Sequence, residues 1–134
     1  MSLYYLDTSA ALKLLREEEH SAAMAAFYDQ AASSGSRFVN SDLLRIELLR
    51  TVTRAAPQLL PEARALLCAI STIEIDEEIV QAAGSEADRM LRTLDAIHLA
   101  SARAFGADLT ALLTYDNRLT QAAKDAGIPT CAPH

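Results

Sequence analysis

Apolar and polar residues are grouped in short blocks along this chain, and the period within the blocks changes from one to the next. Leu3 to Leu6 is an apolar run with two tyrosines, which suits a buried strand. Asp7-Thr8-Ser9 then supplies residues that cap helices. Leu12, Leu14 and Leu15 continue with helical spacing from Ala10 into the polar stretch Glu17 to His20, and a second helical segment runs from about Ser21 to Ala32. Ser33-Ser34-Gly35-Ser36 is a loop. Phe38 and Val39 predict a brief second strand, after which Asn40, Ser41 or Asp42 caps a long helix reaching about Ala56. Pro57 and Pro61 punctuate the chain, a helix runs from Pro61 to Ile70, and Thr72 to Ile75 alternates like an exposed or edge strand. Asp76 opens a helix to about Ala83, with a break at Gly84-Ser85 before Glu86 to Leu91. Thr93 to Phe105 is a strong helix closed by Gly106. Leu109 to Thr114 reads as a fully buried strand running into Tyr115-Asp116-Asn117, and a last helix ends at Gly127 before an edge strand at Ile128 to Cys131.

Strands that alternate with helices predict a mainly parallel sheet covered on both faces, because parallel neighbours need helical crossovers. The expected fold is α/β, a three-layer α/β/α sandwich. No repeat, low-complexity tract or linker divides residues 1–134, so one domain is the economical reading. The chain is 51% hydrophobic and 22% charged, too apolar for a disordered protein. With 5% aromatic residues and no tryptophan, the core must be mostly Leu, Ile, Val and Ala. Cys68 and Cys131 show no metal-binding spacing and read as free thiols. No basic stretch precedes an apolar run at the amino terminus, and no segment nears the roughly 18 apolar residues of a membrane span, so a cytoplasmic protein with no membrane partner is expected.

Four acids stand where structure alone does not ask for them. Asp7 and Asp116 each follow an apolar strand and precede a helix, which puts both at the carboxyl edge of a parallel sheet, where α/β ligands bind. Each could equally cap its helix. Asp95 lies in the apolar stretch LDAIHLA, where a carboxylate is costly to bury without a partner. Glu47 lies in LLRIELL, with Arg50 and Arg54 at helical spacing as alternative partners. If the four converge, two charges ~4 Å apart repel by about 4 kcal/mol at an effective dielectric of ~20, and a cation must offset that. Oxygen donors suit Mg²⁺ or Mn²⁺, and the absence of a Cys and His cluster disfavours zinc. An acidic centre of this kind favours phosphodiester hydrolysis by metal-activated water. The net charge of −6 argues against a general nucleic-acid binder with a basic footprint, although bound cations could reverse the local sign where a phosphate must sit. A haloacid-dehalogenase-like phosphatase would need a second Asp where Ser9 stands, and a receiver domain would need an acidic pair before its phosphorylated Asp.

In their order, LDTSA at Leu6–Ala10, Glu47 inside a leucine-rich helix, LDAIHLA at Leu94–Ala100 and LLTYDNRL at Leu112–Leu119 resemble the PIN domain. Within that family the chain resembles the VapC-type toxins of bacterial toxin–antitoxin pairs. The resemblance implies a ribonuclease in which Asp7, Glu47, Asp95 and Asp116 surround one or two Mg²⁺ or Mn²⁺ ions. It also implies that Thr8, Ser9 and Thr114 order the site, although each also suits a cap or strand end. It further implies a VapB-type antitoxin that inserts a segment into the acidic groove, and a homodimer for which Leu43, Leu44, Leu48 and Leu49 could supply a face or could be core. Arg92 and Arg118 adjoin Asp95 and Asp116 and are the candidate RNA contacts. His98 shares a helical face with Asp95 and reads first as a packed, hydrogen-bonded core histidine, while Glu17 to His20 reads as a solvated helix end. The alternative for the whole chain is a non-catalytic protein-interaction module on the same fold, its acids serving as caps and ion pairs.

Overall fold

A computed structural model describes residues 2–134. The elements run β1 (Leu3–Leu6), α1 (Thr8–Lys13), α2 (Ser21–Ser33), β2 (Arg37–Ser41), α3 (Asp42–Ala55), α4 (Leu60–Ala69), β3 (Ser71–Ile73), α5 (Glu77–Gly84), α6 (Thr93–Arg103), β4 (Ala111–Leu113), α7 (Asn117–Asp125) and β5 (Thr130–Cys131). The strands form one sheet in the order β3-β2-β1-β4-β5, and every pairing is parallel. β1 is central, with Tyr5 opposite both Val39 and Leu112.

Alternation along the strands divides the core into two layers, as the two-residue period of a strand requires. Tyr4, Leu6, Phe38 and Leu113 pack on one face with Ala10, Ala11, Met24, Leu44, Leu48, Val52 and Ala63. Leu3, Tyr5, Val39 and Leu112 pack on the other with Leu99, Ala102, Leu119, Ala122 and Ala123. α1 to α4 therefore cover one face and α6 and α7 the opposite one, which is the expected three-layer sandwich. Among the described residues no helix is long and apolar enough to cross a membrane.

The structure departs from the sequence pattern in instructive places. α1 stops at Lys13, short of the acidic stretch, and the chain turns into α2 through His20, whose φ of 69° lies in the left-handed region. β2 is longer than Phe38-Val39 because Asn40 and Ser41 stay in the strand, opposite Thr72 and Ile73, while Ser41 also caps α3 by accepting the Leu43 N–H. Leu43, Leu44 and Leu48 are buried in the core, which removes three of the four leucines from any dimer face. They point inward because α3 lies against the sheet, and Ile46 is the large apolar side chain it leaves exposed.

Candidate acidic active site

The order of strands reverses between β1 and β4: the chain steps to β2 and β3 on one side of β1, then returns to the other side. At such a switch point the two carboxyl ends diverge and leave a crevice. Asp7 leaves β1 there, with its N–H donated to the Leu113 carbonyl at 3.1 Å, so the ladder extends one residue past the strands. Asp116 leaves β4 on the neighbouring path. Both acids also cap helices: Asp7 Oδ1 accepts the Thr8 N–H at 2.6 Å, and Asp116 Oδ1 accepts the Arg118 N–H at 2.8 Å and the Leu119 N–H at 3.4 Å. The cap reading is thus observed for both acids, and it leaves both at the crevice.

Around Asp7 the hydroxyls are arranged as supports. Asp7 Oδ2 accepts from Ser9 Oγ at 2.7 Å and from Thr114 Oγ1 at 2.8 Å. Those hydroxyls in turn accept the backbone N–H groups of Tyr115 (2.9 Å, to Ser9) and Asp116 (3.1 Å, to Thr114). Thr8 Oγ1 donates instead to Glu47 Oε1 at 2.8 Å. All three hydroxyl residues therefore bind the acids.

Glu47 does not pair with Arg50 or Arg54. It reaches over the sheet edge to His98 on α6, whose Nε2 lies 2.6 Å from Glu47 Oε1 and 3.7 Å from Asp7 Oδ1. α3 and α6 cover opposite faces of the sheet, and this bond joins them. His98 is 1% exposed and its Nδ1 meets the Tyr5 hydroxyl at 2.8 Å. The Tyr5 hydroxyl lies 3.0 Å from Asn40 Oδ1, and Asn40 donates from Nδ2 to the Leu6 carbonyl. His98 was expected as a satisfied core histidine and is one, but its partners are the candidate acids. Sequence offered one signal for it, the three-residue spacing from Asp95; Tyr5 and Asn40 carried none.

The charges respond to this packing. Burial pushes the Glu47 carboxyl up, but the hydrogen bond and charge of His98, with the Thr8 hydroxyl, pull it below its ordinary value. Burial lowers the His98 pKa, and the Glu47 hydrogen bond with the charges of Asp7, Glu47 and Asp95 raises it more, so the net shift is upward. Asp95, half-buried in the first turn of α6, is raised by burial and then by Asp116 and Asp7, with His98 and Arg92 offsetting less. Asp95 therefore feels two other acids without a sufficient cation.

Among the described residues no three carboxylates or imidazoles close tightly enough to grip an ion as they stand. The donor set nevertheless fits a hard divalent cation. It consists of carboxylate oxygens, and the repulsion that raises Asp95 is what a cation between Asp7, Asp95 and Asp116 would relieve. Arg92, at the cap of α6, and Arg118, in the first turn of α7, are both exposed. The arginine ion pairs join Arg45 to Asp42 and Arg103 to Glu86, so among the described residues no arginine pairs with the four acids.

The chain as a whole is similar to known proteins. The PIN domain profile matches residues 4–125. Ribonuclease VapC35 of Mycobacterium tuberculosis is 41% identical over 133 residues, which cover 98% of this chain and 97% of that protein. Ribonuclease VapC47 of the same organism is 35% identical over 132 residues, with 98% and 97% covered. Among solved structures, VapBC2 from Rickettsia felis, bound to a DNA fragment from its promoter, superposes with a TM-score of 0.76 at 14% identity, over 98% of this chain and 99% of that one. M. tuberculosis VapC20, a sarcin-ricin loop cleaving toxin, also gives 0.76, at 16% identity over 97% and 99%. The chain belongs to the PIN domain family and, within it, groups with the VapC proteins.

Proposed function

We propose that this chain, acting as one domain over residues 1–134, is an endoribonuclease toxin that hydrolyses RNA phosphodiester bonds at the crevice between β1 and β4. The observation that carries this reading is that Asp7 and Asp116, at a sheet switch point, both act on Asp95, far away in sequence, with Glu47 and Asp7 sharing His98 as a neighbour. Full-length relatives named ribonucleases support the same activity.

Asp7, Glu47, Asp95 and Asp116 would hold Mg²⁺ or Mn²⁺, which supplies activation of water and neutralisation of charge on the phosphate. The protein's own part is positional. Ser9 and Thr114 fix one oxygen of Asp7, Thr8 fixes one of Glu47, and the capping bonds of Asp116 fix its rotamer. Arg92 and Arg118, exposed beside two of the acids, would bind the phosphates flanking the cut.

A VapB-type antitoxin is the partner we infer, since proteins of this fold are described in VapBC complexes. A basic side chain from it would offset the acids. We also infer a homodimer, supported by the exposed apolar side chains Val80, Met90 and Leu94 on and beside α5 and α6.

The test is cleavage of labelled RNA by purified protein freed of any partner. Activity should vanish with EDTA and return with Mg²⁺ or Mn²⁺. Asp7→Asn should reduce the rate roughly 100-fold or more, in line with losing several kcal/mol of charge stabilisation. Full cleavage by Asp7→Asn, or in EDTA, overturns the assignment.

A further inference from the structure

The buried trio of His98, Tyr5 and Asn40 is joined by hydrogen bonds, and its outer end, His98 Nε2, meets one atom of a candidate ligand, Glu47 Oε1. Glu47 Oε1 receives two donors, Thr8 Oγ1 at 2.8 Å and His98 Nε2 at 2.6 Å. A carboxylate oxygen has about two lone-pair positions, so Oε1 is filled and Oε2 alone is left to a cation. Asp7 is treated alike: Oδ2 takes two hydroxyls, whereas Oδ1 takes the Thr8 N–H and lies 3.7 Å from His98 Nε2.

We propose that His98, backed by Tyr5 and Asn40, is a positioning residue of the metal centre, holding the Glu47 carboxylate so that it offers a single oxygen to the ion. The inference rests on the reading of Glu47 as a metal ligand given above.

An ionised Glu47, the form that holds a cation, can only accept, and this sets the direction of the bond. The Tyr5 hydroxyl has one proton and two neighbours, His98 Nδ1 and Asn40 Oδ1. If that proton goes to Nδ1, the ring is neutral and its own proton sits on Nε2. If it goes to Asn40, Nδ1 carries a proton donated to Tyr5, and the ring, which faces an ionised carboxylate at 2.6 Å, carries its second proton on Nε2 as an imidazolium. In both arrangements Nε2–H points at Glu47. Asn40 cannot swing away, because its Oδ1 also accepts the Ser41 N–H at 2.5 Å and its Nδ2 donates to Leu6. The backing is thus anchored in the backbones of β1 and β2, paired strands inside the sheet. Glu47 comes from the opposite layer, in the second turn of α3, and with its side chain 21% exposed it would otherwise sample several rotamers.

Three variants separate positioning from packing. His98→Leu removes the donor, His98→Gln keeps an amide N–H near the place of Nε2, and Tyr5→Phe removes only the backing hydroxyl. Mn²⁺ affinity is read by calorimetric titration of each purified protein, with circular dichroism as the fold control and RNA cleavage measured in parallel. His98→Leu should weaken Mn²⁺ binding by about 10- to 100-fold, the usual consequence of losing a support behind a metal ligand. His98→Gln should recover most of the loss, and Tyr5→Phe should fall between them. A folded His98→Leu protein that binds Mn²⁺ within twofold of the unaltered chain overturns the inference. If His98→Leu does not fold, Tyr5→Phe decides in the same way: weakened binding supports the proposal and unchanged binding overturns it. An unaltered chain that neither binds Mn²⁺ nor cleaves RNA overturns the underlying reading as well, which distinguishes the two failures.

Discussion

Asp116 and Asp95 are both candidate ligands, yet their removal should affect folding in opposite directions. Asp116 is an N-cap, so Asp116→Ala should cost about 1 kcal/mol of stability from the unpaired first turn of α7, whereas Asp116→Asn keeps a capping oxygen and should cost little. Both should lose cleavage. Asp95 accepts no capping hydrogen bond and is pushed up by burial, Asp116 and Asp7, so it destabilises the metal-free protein whenever it is ionised. Asp95→Asn should therefore raise the metal-free melting temperature and abolish cleavage; a fall in melting temperature would show that the repulsion is not felt. That outcome would set activity against stability at this residue, as is common where like charges are gathered for chemistry.

The elements explain why some of this was legible before folding and some was not. β1, β4 and α6 could be read closely because an apolar run ending in Asp, or an apolar helix interrupted by Asp95, is visible locally. So was the carboxyl-edge position of Asp7 and Asp116, which follows from connectivity. The partner of Glu47 was not, since arginines at helical spacing are near in sequence and His98 is 51 residues away on the other layer. Tyr5 looked like one more strand apolar, and Asn40 like a cap, because the hydroxyl and amide acquire their roles only when α6 lies over β2. α3 is the element on which this depends: Leu44 and Leu48 are fully buried, one helical turn apart, on the face that anchors Glu47. Leu48→Ala should cost roughly 2–5 kcal/mol in a urea unfolding titration, the range for emptying a packed leucine site. At temperatures where the variant remains folded, its cleavage rate should also drop, since the base of the Glu47 side chain is then free to shift.

At the scale of the molecule, α5 and α6 leave Val80, Met90 and Leu94 in water, with Met90 85% exposed. The homodimer inferred above would cover them. Val80→Lys combined with Met90→Glu should shift the chain from dimer to monomer in light scattering without lowering its melting temperature as a core change would; an unaltered dimer would place the contact elsewhere. Another feature bears on the antitoxin. The outermost strands of the sheet, β3 and β5, are three and two residues long. Such stubs present almost no continuous row of backbone donors and acceptors, which protects against edge-to-edge aggregation. The same brevity closes one route to recognition, because an inhibitor cannot gain much by lengthening the sheet as an additional strand. The inhibitor inferred above would then grip through side chains, and a segment laid across the crevice would make blocking the acids and recognising the chain a single act of contact.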